Sequence, residues 1–346
     1  MKVGIVGFSQ SGKSTLFQAL TGAAPDPASG LKGQIGVAAV EDARLDFLTA
    51  MFKPKKHTPA KVDFIDTPGL IRGEKGDNPQ RLATLRNADG LLIVLDGFSS
   101  DESPAEQLKK FREELLFADF EVVHNRIEKL EAGSKKPRPQ AERDRDAKEL
   151  ADFQAMAAKL EAGESLVGME FNKEIENSLK SFQLFSLKPE LIVLNAREDR
   201  ATAPANPELL ALNPQTVVAA AKLELDLAQL EGDDRTMFME EMGVKELAKK
   251  RIIQAAYAAV GLISFLTSGE DECRAWTINR NTPAVEAAGK IHSDIQKGFI
   301  RAEVVAFDDL KRLGSMKEVR AKGLQRLEGK EYIVQDGDII NFRHNA

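Results

Sequence analysis

Five short apolar runs stand out along the chain. Residues 2–6 (KVGIV) form the first, and residues 62–65, 90–96 (GLLIVLD), 191–194 and 217–221 repeat the pattern at long intervals. None is long enough for a helix, and the longest has no polar alternation, which is how strands covered on both faces read. A helical pattern over residues 14–20 follows the first run directly. Buried strands spaced by helices predict an α/β fold with a parallel sheet. From residue 108 the period changes. Leu108, Phe111, Leu115, Ala118 and Val122 recur at spacings of three and four, as do Leu150, Phe153, Ala157 and Leu160. Between these sets GSKKPRP (133–139) interrupts the helix, so an antiparallel helical hairpin with a coiled-coil-like seam and a basic tip is expected. Residues 245–266 predict one more helix. After a Ser-Gly-Glu-Asp linker (268–271) come a strand at 274–278, a helix at 283–297 and a strand at 302–306. Runs at 331–334 and 338–343 flank Asp336-Gly337, a hairpin signal. Strands around one helix predict a small β-grasp unit.

Composition narrows the class. The chain has 346 residues, 42% of them hydrophobic, enough for two or three domains with proper cores. No apolar run approaches the ~18 residues of a membrane helix, and the chain enters its first strand without a leader-like segment. With Cys273 the sole cysteine no intrachain disulfide forms, and His57, His124, His292 and His344 lack the spacing of zinc ligands. These features predict a cytoplasmic protein without a membrane partner. The net charge of −6 argues against a wholly basic nucleic-acid surface, and no DNA partner is expected. Locally the balance reverses: Lys311, Arg312, Lys317, Arg320, Lys322, Arg326 and Lys330 face only Glu318 and Glu328, a segment suited to RNA phosphates or to plain solvation.

The chemistry is concentrated at the strand ends. Residues 7–15 read GFSQSGKST, the phosphate-binding pattern G-x-x-x-x-G-K-[ST] between a strand and a helix. Gly7 and Gly12 let the backbone of Ser9, Gln10, Ser11, Gly12, Lys13, Ser14 and Thr15 turn its N–H groups toward an anion, with the helix dipole adding to the field. Lys13 is the catalytic candidate, reaching the β/γ-phosphates, and Ser14 is a candidate Mg²⁺ ligand. The 62–65 strand ends in Asp66-Thr67-Pro68-Gly69, a D-x-x-G switch in which Asp66 would hold Mg²⁺ and the Gly69 N–H would meet the γ-phosphate. Next stands Leu70, where many GTPases place a water-orienting glutamine, so slow turnover is expected. The 191–194 strand ends in Asn195-Ala196-Arg197-Glu198, where guanine-specific proteins carry N-K-x-D. Alanine and glutamate at the lysine and aspartate positions predict lost guanine selectivity in favour of adenine. Either carboxylate can still accept from guanine, so GTP stays open. Ala221 and Lys222 after the fifth run fit a second base-contacting loop.

Together these pieces resemble the Obg-like ATPases of the YchF type, over essentially the whole chain. The resemblance runs through GFSQSGKSTLFQALTG, VEDARLDFL, DTPGLIRG, NARED, AAKLELDL, RAWTINRNTPAVEAAGKIHSDIQKGFIRAEVVAFDDL and RLEGKEYIVQDGDIINFRHN. It implies a Ras-like P-loop domain with a helical coiled-coil insertion and a C-terminal β-grasp (TGS) domain. The corresponding boundaries are 1–102 with 186–267, 103–185, and 268–346. It also implies ATP preferred over GTP, Mg²⁺ dependence, weak hydrolysis, and association with the ribosome or RNA through the TGS domain and hairpin. The chain departs from the family in places. Gly30 falls where the family has its switch threonine, and Ser29 where it has a cysteine. Residues 98–104 lack the histidine many relatives carry, the loop after Gly73 is short, and Cys273 is not read as a redox switch. A scaffold that binds nucleotide with negligible turnover is the competing expectation.

Overall fold

A computed structural model describes residues 1–71 and 78–345; most of the short loop after Gly73 lies outside them. The strands are β1 (Lys2–Val6), β2 (Gln34–Val40), β3 (Lys56–Thr58), β4 (Ala60–Asp66), β5 (Gly90–Gly97), β6 (Glu190–Ala196), β7 (Thr216–Ala219), β8 (Leu262–Thr267), β9 (Glu272–Asn279), β10 (Phe299–Ala306), β11 (Arg326–Glu328) and β12 (Asp338–His344). The chain divides into two compact units, residues 1–36 with 64–249 and residues 37–63 with 250–346.

One sheet runs in the order β2-β4-β1-β5-β6-β7. The five apolar runs of the sequence are β1, β4, β5, β6 and β7. β5 lies parallel to both neighbours, Val3 opposite Gly90 and Leu92 opposite Leu191. Its first six residues are buried, as a central strand's should be. This order brings the carboxyl ends of β1, β4, β5 and β6 to one edge, where open α/β sheets bind ligands.

The insertion is the expected pair of helices, Pro104–Ser134 and Gln140–Glu161. Ser103 and Glu106 close a reciprocal capping box, with Pro104 in the first turn. The buried stripe differs from the expected one. It passes through Leu108, Phe111, Leu115, Asp119, Val123, Ile127 and Leu130, leaving Ala118 and Val122 at its flanks. A carboxylate occupies a core position, and apolar periodicity cannot register that. Asp119 is fully buried. Its Oδ2 accepts from the Ser186 N–H and hydroxyl, both at 2.7 Å, and its Oδ1 from Arg86 at 3.1 Å. The helix Lys173–Phe182, capped by Asn172, adds Ile175 and Leu179 to the hairpin core.

The second sheet runs β11-β10-β12-β8-β9-β3. Its strands curl over the helix Ala284–Ile291, whose buried Ala284, Ala287 and Ala288 allow close approach, a β-grasp arrangement. Three expectations are corrected here. The helix expected over 245–266 spans Ala248–Ala259. Gly261, with φ 71°, ends it, and the following apolar residues form β8. Short apolar runs fit strand and helix alike. The helix expected over 283–297 breaks at His292, extended at φ −162°, and a short helix Ser293–Lys297 follows. The 331–334 run is not a hairpin strand. Ile333 forms a single bridge to Pro283, and β12 pairs instead with β10 and β8. The Asp336-Gly337 turn is held by distant partners: Asp336 accepts from the Ser264 N–H and from Arg44, and the Gly337 N–H donates to Ser264 O. Among the described residues no helix is long and apolar enough to cross a membrane.

Candidate nucleotide site

β1 passes through a glycine turn into the helix Lys13–Thr21. A Cβ on Gly7 would lie 2.4 Å from Val94 O, and one on Gly12 2.1 Å from Asn195 Nδ2, so both positions require glycine. Gly12 caps the helix in the left-handed region at φ 86° with no side-chain cap, which leaves the first-turn N–H groups for a ligand. Lys13 is buried, and its Nζ donates to Phe8 O at 2.6 Å. Burial brings its pKa down to about 8, against the attraction of Asp66 and with the Arg81 charge adding to the fall. An ammonium held this way gains strongly from an anion.

The D-x-x-G turn docks along this loop. Leu70 N–H donates to Gly7 O at 3.1 Å and Ser9 N–H to Leu70 O at 3.0 Å. A Cβ on Gly69 would lie 2.6 Å from Lys13 Nζ, so only glycine allows the approach. The Leu70 side chain is buried in the core with Phe8, Leu82 and Phe111. It faces away from the place where a glutamine would orient water.

Asp66 lies half-buried at the end of β4. Burial pushes its carboxyl pKa up, while a hydrogen bond from Ser14 opposes the rise. Its Oδ1 is buried without a hydrogen-bond partner among the described residues. A hydroxyl beside a carboxylate with one unspent oxygen is an oxygen donor set fitting Mg²⁺, which needs few protein ligands when phosphates supply others. Among the described residues no cluster of three His, Cys, Asp or Glu could hold a metal by itself. Ser9, Gln10, Gly12, Lys13, Ser14, Thr15, Asp66 and Gly69 line one cleft of about 690 Å³, closed on its other side by Asp26, Ser29 and Gly30.

A second cleft of about 700 Å³ shares Gly12 and Thr15 with the first and is lined by Asn195, Ala196, Glu198, Ala221 and Lys222. Asn195 is buried as a brace, its Nδ2 donating to Ser11 O and its Oδ1 accepting from the Ala221 N–H, both at 3.0 Å. It ties the two loops that bound both clefts. Ser11 lies buried beneath the loop rather than on the second cleft's wall. Glu198 is half-exposed on the turn Glu198–Arg200, with Lys222 Nζ 3.6 Å from its Oε1. Every expected site residue except Ser11 thus lines one of these clefts.

Two residues escaped the sequence reading. Phe98, exposed just past β5, borders both clefts. The Asp96 carboxylate, accepting the N–H groups of Phe98 and Ser99, sets its loop. An exposed aromatic at the carboxyl end of a central strand was the available signal. Arg81, on the helix Asn78–Leu85, reaches Gly69 O at 2.7 Å; no local motif marks it.

The basic residues between 311 and 330 are all exposed. Arg312 is paired with Asp309, and Arg326 with Glu328. At the hairpin tip Lys135 and Lys136 are exposed and Arg138 pairs with Asp146.

A glycine loop that presents a helix N-terminus and a buried lysine, faced by an aspartate switch and adjoining a second cleft, defines a P-loop nucleotide-binding protein. The comparisons sharpen that class. Residues 2–126 match the family described as 50S ribosome-binding GTPase, and residues 262–345 match the YchF GTPase C-terminal family, described as a protein of unknown function. The chain is 37% identical to the ribosome-binding ATPase YchF of Bacillus subtilis, with both chains fully covered. It is 34% identical to the protein of the same name in Escherichia coli O157:H7, covering all of this chain and 99% of that one. The structure of the Schizosaccharomyces pombe YchF GTPase superposes with a TM-score of 0.86 at 26% identity, covering 99% of this chain and 97% of that one. The chain belongs to the YchF family.

Proposed function

We propose that this protein is a cytoplasmic ATP-binding switch that hydrolyses its nucleotide slowly and associates with the ribosome. The observation that carries the reading is the buried Lys13 ammonium at a helix N-terminus, beside Ser14 and an Asp66 oxygen left without a partner. Lys13 and the loop N–H groups would hold the β- and γ-phosphates. Ser14 and Asp66 would hold Mg²⁺, which when bound neutralises phosphate charge. Gly69 approaches closely enough for its peptide to sense a γ-phosphate. Leu70, turned into the core, and Gly30, without a side chain, leave the attacking water poorly oriented, which supports slow turnover. We read the domains as a P-loop domain over 1–102 and 186–267, a helical hairpin over 103–185 and a C-terminal β-grasp domain over 268–346, although β8 pairs with β9 and β12 and so favours an earlier start for the last.

The second cleft supports a purine site, with Ala221 and Lys222 beside it and Ala196 and Glu198 in place of a guanine-specific pair. Calorimetry with Mg-ATP and Mg-GTP in parallel should show ATP bound more tightly, and tighter GTP would overturn the adenine assignment. In the Ala196→Lys, Glu198→Asp double variant the preference should move toward GTP by about tenfold, the worth of one charge-assisted hydrogen bond. No movement would mean that residues 195–198 do not face the base. Asp66→Asn should remove most of the enhancement of ATP binding by Mg²⁺, again about tenfold; an undiminished Mg²⁺ effect would remove Asp66 from the metal site.

The ribosome assignment draws on the names of the full-length relatives. The exposed basic segment 311–330 and the hairpin tip supply surfaces suited to RNA phosphates. Sedimentation with ribosomes should show binding that weakens as salt rises. No co-sedimentation in any nucleotide state would remove the partner.

A further inference from the structure

The Gly69–Leu70 peptide is gripped at both ends. Its carbonyl accepts from Arg81 Nη1 at 2.7 Å, and its N–H donates to Gly7 O at 3.1 Å. Gly69 itself presses on the P-loop lysine and on Ser9, whose Cα a Cβ would approach to 2.8 Å. Arg81 and Lys13 therefore both converge on one glycine, Arg81 at its carbonyl and Lys13 at its Cα face. Arg81 also buries its Nε with no hydrogen-bond partner among the described residues. A guanidinium has five donors in a rigid fork, and burying one unsatisfied is unfavourable unless another group gains from the placement. Arg81 does not itself line the cleft, so an anion drawn to Lys13 meets the guanidinium's influence through the Gly69 peptide. Gly69 and Lys13 line the first cleft and not the one that Asn195 and Lys222 line, so the phosphate that meets them is the one farthest from the base. Leu70 and Gly30 supply no polar side chain there.

Building on the nucleotide reading above, we propose that Arg81 is the positioning residue that makes this switch sense a terminal phosphate. Through the Gly69 carbonyl it fixes the switch peptide against Lys13, so that a nucleoside triphosphate is bound in preference to the diphosphate. The side chain acts through Gly69 and leaves the purine and the first phosphates to other groups.

Calorimetry on the full chain with Mg²⁺, using ADP and a non-hydrolysable ATP analogue, tests this. The unmodified protein should prefer the triphosphate. Arg81→Gln should weaken binding of the analogue about tenfold or more while leaving ADP within about twofold, and Arg81→Lys should recover part of the preference. A preference equal to that of the unmodified protein overturns the proposal. So does a parallel loss of both nucleotides, which would mark a merely structural role. Thermal melts identify a variant that has not folded, and Arg81→Lys then carries the comparison. If the unmodified chain binds neither nucleotide, the underlying reading has failed before any variant is made.

Discussion

Lys13→Met should lower affinity for Mg-ATP by at least about 100-fold and bring hydrolysis to background. The ammonium offers charge-assisted hydrogen bonds to two phosphates, each worth about 1.5–3 kcal/mol, and methionine keeps the stem while removing every donor. The same substitution should not lower the melting temperature of the nucleotide-free protein. The fold pushes the Lys13 pKa down to about 8, so at neutral pH the charged form is held against a desolvation cost that Asp66 and the Phe8 carbonyl offset only in part. Two measurements therefore move apart. The rise in melting temperature caused by saturating Mg-ATP disappears, while the baseline stays level or climbs. A Lys13→Met protein that still melts higher with Mg-ATP would show that phosphate binding does not depend on this lysine.

Asp119→Ala should destabilise the chain by about 3–5 kcal/mol, the usual cost of deleting one partner from a buried charged pair. The buried Ser186 N–H and hydroxyl lose their acceptor, and the part-buried Arg86 guanidinium keeps Ala118 O but loses its carboxylate partner. For a structure of this size the melting temperature should fall by about 10 °C, read by circular dichroism. Asp119→Asn keeps an acceptor for Ser186 but not the charge facing Arg86, and should lose roughly half as much. Nucleotide affinity of the folded variant should stay within about twofold, because none of these groups lines the clefts. An unchanged melt would mean that the base of the helical hairpin is held by its apolar stripe alone.

These two residues also mark where sequence reading succeeds and where it stops. The place of Lys13 was legible because the loop pattern is written in nine adjacent positions, and two glycines at fixed spacing dictate the turn whatever lies around it. Asp66 and Gly69 were legible for the same reason, each following a strand by a set number of residues. Asp119 was not: an acidic residue on a long charged helix looks like solvated surface, and the donors to its carboxylate lie 33 and 67 residues away. Asn195 was found, but its duty was only partly seen. Its position at a strand end is local information, whereas its two hydrogen bonds depend on Ser11 and Ala221 arriving beside it.

The C-terminal unit repeats the lesson. Asp336-Gly337 does turn the chain, as local backbone preference requires, yet which strands it joins depends on Ser264 and Arg44. Residues 262–266 became a strand because β9 and β12 offer them hydrogen-bonding edges, a fact absent from their own apolar pattern.

The five buried strands of the first sheet, the phosphate loop, the aspartate switch and the two-helix insertion are therefore properties of short stretches of residues, set by sterics and by apolar periodicity within a few turns of chain. The placement of Arg81 on Gly69, the Asn195 brace, the buried Asp119 and the meeting of two clefts beside Phe98 depended on folding. Each needs groups far apart along the backbone to be desolvated together, and the free energy of that arrangement exists only once the tertiary contacts have formed.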